Sequence, residues 1–211
     1  MATLNEIAFN IAGSVGKNTD VVFINRIKFQ VEYFRALFLR RDAQTNFNIP
    51  DAFIQTLTLE MEWVDALSAC GVSLPCKILK SKKKVCPPVN LKGKSGFNYV
   101  GAPSGVEGFQ YVTPEQLPFS LSGKFTGNSP KYFYKDGFLY VTEGSPMCIE
   151  VRVACENPAT GGETSGDSEG GCLDHDAPYP ITLDMVQRIT EAVINQLQAD
   201  ILQGNEQIEI E

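Results

Sequence analysis

The side chains best suited to chemistry are few in this chain and poorly grouped. Histidine, the usual proton carrier near neutral pH, occurs once, as His175. It sits among small and acidic residues, so spacing supports neither a Ser-His-Asp nor a Cys-His relay. Cys172 and His175 form half of a zinc motif. The six cysteines (Cys70, Cys76, Cys86, Cys148, Cys155, Cys172) include no CxxC pair to complete it. GKNTDVV and GKSGF contain Gly-Lys without completing the phosphate-loop pattern. Glu60 and Glu62 share a strand face, where acids are ordinarily solvated. The expectation is no catalytic set, no metal site and no cofactor.

One cluster remains. CKILKSKKKVC carries Lys77, Lys80, Lys82, Lys83 and Lys84 in a short span. Grouped lysines can displace counterions from nucleic acid, and Phe97 and Tyr99 follow as candidate stacking groups. Two other readings stand beside a passing contact with DNA. The run can meet an acidic partner protein, or it can form a solvated loop that keeps an edge strand from pairing, the reading preferred here.

At 211 residues with 43% hydrophobic content, the chain is long enough to bury a core. Its net charge of −7 is concentrated, because six of the 25 acids lie between 156 and 176 without a base among them. The rest is nearly neutral, so the charge balance says little about partners. No apolar run is long enough to span a membrane, and MATLNEIAFN lacks a signal-peptide layout. The chain therefore reads as soluble and unsecreted, with its cysteines as reduced thiols.

The elements that would position these residues follow from periodicity. Thr3 and Glu6 fit a capping box for a helix over 4–12 that stops at Gly13. Asn18, Thr19 or Asp20 would cap a second helix ending near Asp42. Phe23, Ile27, Val31, Phe34 and Phe38 make one apolar stripe of that helix, and Phe29, Tyr33, Ala36 and Leu37 lie opposite. Asn25, Lys28, Glu32 and Arg35 keep a narrow polar strip. A helix apolar on two sides must be covered on two sides, by helix one and a sheet of its own chain or by a neighbouring subunit.

From Asp51 the period changes to two: TLTLEMEW predicts a half-buried strand. FNYVGA and FQYVTP suggest short strands, and YKDGFLYV predicts a hairpin turning at Asp136-Gly137. MCIEVRVAC predicts a strand paired with that hairpin. Residues 156–174 are too polar and small to bury a core and read as a tether. Pro180 and Thr182 then open a helix over 183–203, stopped at Gly204, whose broad apolar face holds Met185, Val186, Ile189, Val193, Leu197 and Ile201. That face either folds back on the chain's own sheet or docks on another chain.

The expected fold is α+β: an N-terminal helical region (1–48), a small antiparallel β region (49–155), an acidic tether (156–180) and a C-terminal amphipathic helix and tail (181–211).

Taken in order, ATLNEIAFNIA, RIKFQVEYFRALFLRRD, YKDGFLYV, IEVRVACENP and YPITLDMVQRIT resemble a structural protein of crAss-like bacteriophages. The resemblance covers both ends and residues 132–158. Its pattern has an acidic residue before Pro158, where this chain has Asn157. It implies a non-enzymatic head-to-tail ring or adaptor subunit, twelve copies per ring, touching the portal protein and adjacent tail rings. Such a subunit would be assembled in the bacterial cytoplasm and carried in the virion, with no membrane contact. Together with the amphipathic faces, it nominates Phe23, Ile27, Tyr33, Phe34, Leu37 and Phe38 for one interface. Met185, Ile189, Val193, Leu197 and Ile201 are nominated for a second.

Overall fold

The computed structural model describes residues 2–46, 49–65, 77–89, 96–105, 107–121, 129–142, 147–156, 158 and 178–208. The chain divides into two compact units, one combining Met1–Phe53 with Cys172–Glu211 and the other running from Ile54 to Gly171. The first and last parts of the sequence thus fold together, with the β region inserted between them.

The first unit holds α1 (Leu4–Ser14) and α2 (Val21–Asn46) with the C-terminal helix Leu183–Ile208. At the start of α1 the capping box is closed in both directions, Glu6 N–H donating to Thr3 Oγ1 at 3.1 Å and Thr3 N–H to Glu6 Oε2 at 3.0 Å. The helix passes through Gly13, and the left-handed conformation falls to Gly16 at φ 73°. Asp20 caps α2 by accepting from Phe23 N–H at 3.1 Å. Leu4, Ile7, Ile11, Ile27, Val31 and Leu39 are buried here together with Ile189 and Val193.

The second unit is a curled seven-stranded sheet of order β3-β7-β1-β2-β6-β5-β4. Its strands are β1 (Ile54–Asp65), β2 (Lys77–Ser81), β3 (Phe97–Gly101), β4 (Gln110–Tyr111), β5 (Lys131–Lys135), β6 (Phe138–Val141) and β7 (Cys148–Ala154). The long β1 changes partner midway, pairing antiparallel with β7 along Ile54–Glu60 and with β2 along Met61–Asp65. Side chains from both stretches, Leu57 and Met61, enter one core with Leu79, Leu139, Val141, Ile149, Val151 and Val153. On the other face Ile78, Phe133 and Tyr140 cluster with Leu117 of a short helix, α3 (Leu117–Leu121), so the C-terminal helix is α4. Asp136 (φ 54°) and Gly137 (φ 85°) join β5 to β6.

Four expectations are corrected. The strand IEVRVA does not pair with the hairpin: β7 has β1 on one edge and β3 on the other, while β6 takes β2. Arg35 does not lie on a solvated strip, since it is 0% exposed. Cys86 and Cys155 are not separate thiols but a disulfide, with Cα atoms 5.6 Å apart across 69 residues of sequence. The α4 helix also runs past Gly204 to Ile208. His175, Cys172 and most of the acidic tether lie outside the described residues.

Candidate subunit interface

The apolar residues of α2 separate into an inner and an outer row. Ile27, Val31 and Leu39 are fully buried, and Phe23, Phe34 and Phe38 are half-buried. Outside lie Val22, Phe29, Tyr33 and Leu37, with 80%, 70%, 57% and 45% of their surface exposed. Spacings of seven, four and four residues keep them within one helical face. The outer row is braced from within: Tyr33 meets Phe34 edge-on at 5.5 Å, and Phe34 stacks on Phe38 at 5.9 Å. The Arg188 guanidinium lies 4.8 Å from the centre of the Phe38 ring and donates to Asp42 at 2.9 Å. That bond to Asp42 holds the Arg188 pKa above its ordinary value.

Beside the N-terminal end of this row, an open groove of about 640 Å³ is lined by Ala2, Asn5, Glu6, Phe9, Asn10 and Ile24. Phe9 is itself 51% exposed. Isolated exposed apolar side chains are common on protein surfaces, whereas a continuous row of large ones makes this face the candidate interface. Val22, Phe29 and Phe9 were missed as interface candidates by sequence. Periodicity puts Phe29 on the same side of α2 as Tyr33 and Leu37, but it does not say which of two apolar sides the chain itself covers.

The second nominated row lies elsewhere. Met185, Ile189, Val193 and Leu197 are buried, at most 5% exposed, in the chain's own helical unit, where α4 packs on α1 and α2. Its cover is therefore a pair of helices and not a sheet. The side chain of Ile201 lies outside the described residues.

The segment leading into α4 is held by Arg35. Its Nε donates to Pro180 O at 3.0 Å, and its guanidinium lies between the rings of Phe53 (5.6 Å) and Tyr179 (5.5 Å). Burial lowers the Arg35 pKa from its ordinary value, while Tyr179 and Glu32 act in the opposite sense. Tyr179 N–H donates to Ala2 O at 3.1 Å, pairing the two distant ends of the sequence. Thr182 Oγ1 accepts from Met185 N–H at 3.3 Å, which caps α4.

The lysines are largely engaged by their neighbours. Lys82 pairs with Glu60 at 2.8 Å, an exposed contact that lowers the glutamate pKa and raises that of the lysine. Lys80 stands opposite Glu62 in the β1–β2 ladder, with its Nζ 3.9 Å from the centre of the Phe138 ring. The Lys84 Nζ approaches that ring at 5.9 Å. Lys83 has partners of its own. Among the described residues no group of acids, cysteines or histidine could hold a metal ion, and no helix is long and apolar enough to cross a membrane.

A long helix thus leaves large apolar groups exposed, with Tyr33 braced by the aromatic rings packed beside it. Among curated proteins, none matches the chain. A family profile described as "Phage tail ring protein 2" matches residues 6–207, spanning all seven strands and the greater part of the helical unit. On that match the chain belongs to the tail ring protein 2 family of crAss-like phages.

Proposed function

We propose that this tail ring protein forms a homo-oligomeric ring next to the portal, acting as an adaptor between head and tail, with the outer row of α2 as the contact between neighbouring copies. Membership of a phage tail ring family makes it a structural component of the virion. The observation that carries the finer reading is the exposed row Val22, Phe29, Tyr33 and Leu37. A ring closes when two different faces of identical subunits meet. The outer row supplies one such face, extended by Phe23, Phe34 and Phe38 beneath it, and Ile27 supports it from the core. Met185, Ile189, Val193, Leu197 and Ile201 act in this reading as the support that fixes α2. Twelve copies would match a portal, and assembly would take place in the host cytoplasm before the ring enters the particle. The activity is non-enzymatic, in keeping with the absence of a convergent acid, base and nucleophile in the sequence.

The test is the mass of the full chain, measured by light scattering and by electron microscopy alone and with portal and tail partners. Ring-sized particles that vanish on Phe29→Glu/Tyr33→Glu, in a chain that still folds, support the proposal. A chain that stays monomeric with all partners present sinks it. The nucleic-acid reading draws only on Lys80, Lys82, Lys83 and Lys84. The Lys82–Glu60 pair and the Lys80–Phe138 contact instead tie these lysines to their own sheet; the edge-strand reading is corrected as well, because β2 lies inside the sheet between β1 and β6.

A further inference from the structure

Within the β unit Ile54 opens β1 and Ala154 closes β7, and these two residues face each other at one end of the β1–β7 ladder. Fraying of the ladder starts most readily from that end pair. The next residue after Ala154 is Cys155, joined to Cys86. Backbone bonds flank the bridge on both sides, Val89 N–H to Ala154 O at 2.9 Å and Glu156 N–H to Pro87 O at 3.1 Å. Both cysteines are buried, at 1% and 0% exposure, within the β core.

We propose that Cys86 and Cys155 are thiols when the chain is made and close into the disulfide afterwards, clamping this end of the ladder so that β7 cannot peel away. The timing rests on synthesis in the host cytoplasm, where thiols are kept reduced; the clamp itself does not. The oxidant is a small-molecule disulfide such as oxidised glutathione. One cysteine thiolate attacks it, forming a mixed disulfide and expelling one thiolate. The second cysteine then attacks the mixed disulfide, the protein S–S bond forms, and the other small thiolate leaves. Two electrons and two protons pass from the cysteine pair to the two small thiols released. Closing requires transient opening of the 86–89 loop, because both sulfurs are covered. Outside the cell the cytoplasmic reductants are left behind, so the bridge persists once the particle has been released.

The experiment uses the full chain expressed in the bacterial cytoplasm. Cells are quenched in acid and treated with iodoacetamide, and the protein is mapped by mass spectrometry. Both residues should carry the alkyl group; a linked Cys86–Cys155 peptide at that stage overturns the timing while leaving the clamp intact. Purified reduced chain is then incubated with oxidised glutathione. A linked peptide and a mass loss of two hydrogens should appear, and the melting midpoint should rise by roughly 10 °C. The Cys86→Ala/Cys155→Ala chain should show no such rise under the same treatment. Free thiols at 86 and 155 after incubation, or a linked chain whose melting and proteolysis at the β7 end are unchanged, overturn the clamp.

Discussion

Substitution of Val193 separates a helix that completes its own fold from one that docks elsewhere. Val193 is 0% exposed, in the middle of the α4 row that includes Ile189 and Leu197. Val193→Ala removes two buried carbons at about 0.8 kcal/mol each and leaves a small cavity, so the cost is about 2 kcal/mol. In a protein of this size that lowers the melting midpoint by roughly 4–8 °C. Val193→Asp carries the same loss and adds a buried carboxylate without a partner, worth about 3–5 kcal/mol more. The total is comparable to the whole stability of a typical domain, about 5–15 kcal/mol. Circular dichroism and thermal melting of the isolated chain measure both effects. The expectation is a graded series, with the alanine chain folded but weakened and the aspartate chain losing helix signal without any partner present. If the aspartate chain melts like the unmodified one and fails only to assemble, the α4 row lies between chains and the burial argument is wrong.

Three further outcomes follow from particular contacts. The Tyr179 hydroxyl is buried without a hydrogen-bond partner, and burial raises its pKa above the ordinary 10. Its contribution is therefore fully present below pH 10 and is lost as pH rises beyond that, because the unfolded chain ionises first. Tyr179→Phe should remove part of the alkaline unfolding limb, leaving stability near neutrality within about 1 kcal/mol; an unchanged limb in a pH-stability scan would refute the assignment. Charge reversal at Lys82, Lys83 and Lys84 should leave retention on DNA unaltered at all salt concentrations. Steep salt-dependent retention that disappears on reversal would restore the nucleic-acid reading. Gly137→Ala should lower stability by about 1–2 kcal/mol in thermal melts through backbone strain at φ 85°, since the added Cβ meets only the Lys84 side chain at 3.5 Å. No measurable loss would mean that the turn adopts another geometry.

What was legible in the sequence is what neighbours along the chain decide. Thr3 and Glu6 are three residues apart and close a capping box, while Leu57 and Met61 reveal by alternation which face of β1 is buried. Partner choice was not legible, because it joins residues far apart. Nothing local tells β7 that its edges belong to β1 and β3, or brings Cys86 to Cys155 across 69 residues. Arg35 shows the same limit. Its helical spacing from Glu32 suggests a solvated pair, yet Phe53, Tyr179 and Pro180 arrive from distant positions to enclose it. At the candidate interface, periodicity identified two apolar sides of α2, and only the packing of α1 and α4 shows that Tyr33 and Leu37 remain outside while Ile27 does not.

The ring contact itself is tested most directly by a photo-crosslinking amino acid placed at Phe29 or Tyr33 in assembled particles, with Glu191, exposed on α4, as the comparison position. The account predicts that light joins the chain to a second copy from 29 and 33 and not from 191. Cross-links between copies from 191 alone, with 29 and 33 still reacting only with water, would contradict it.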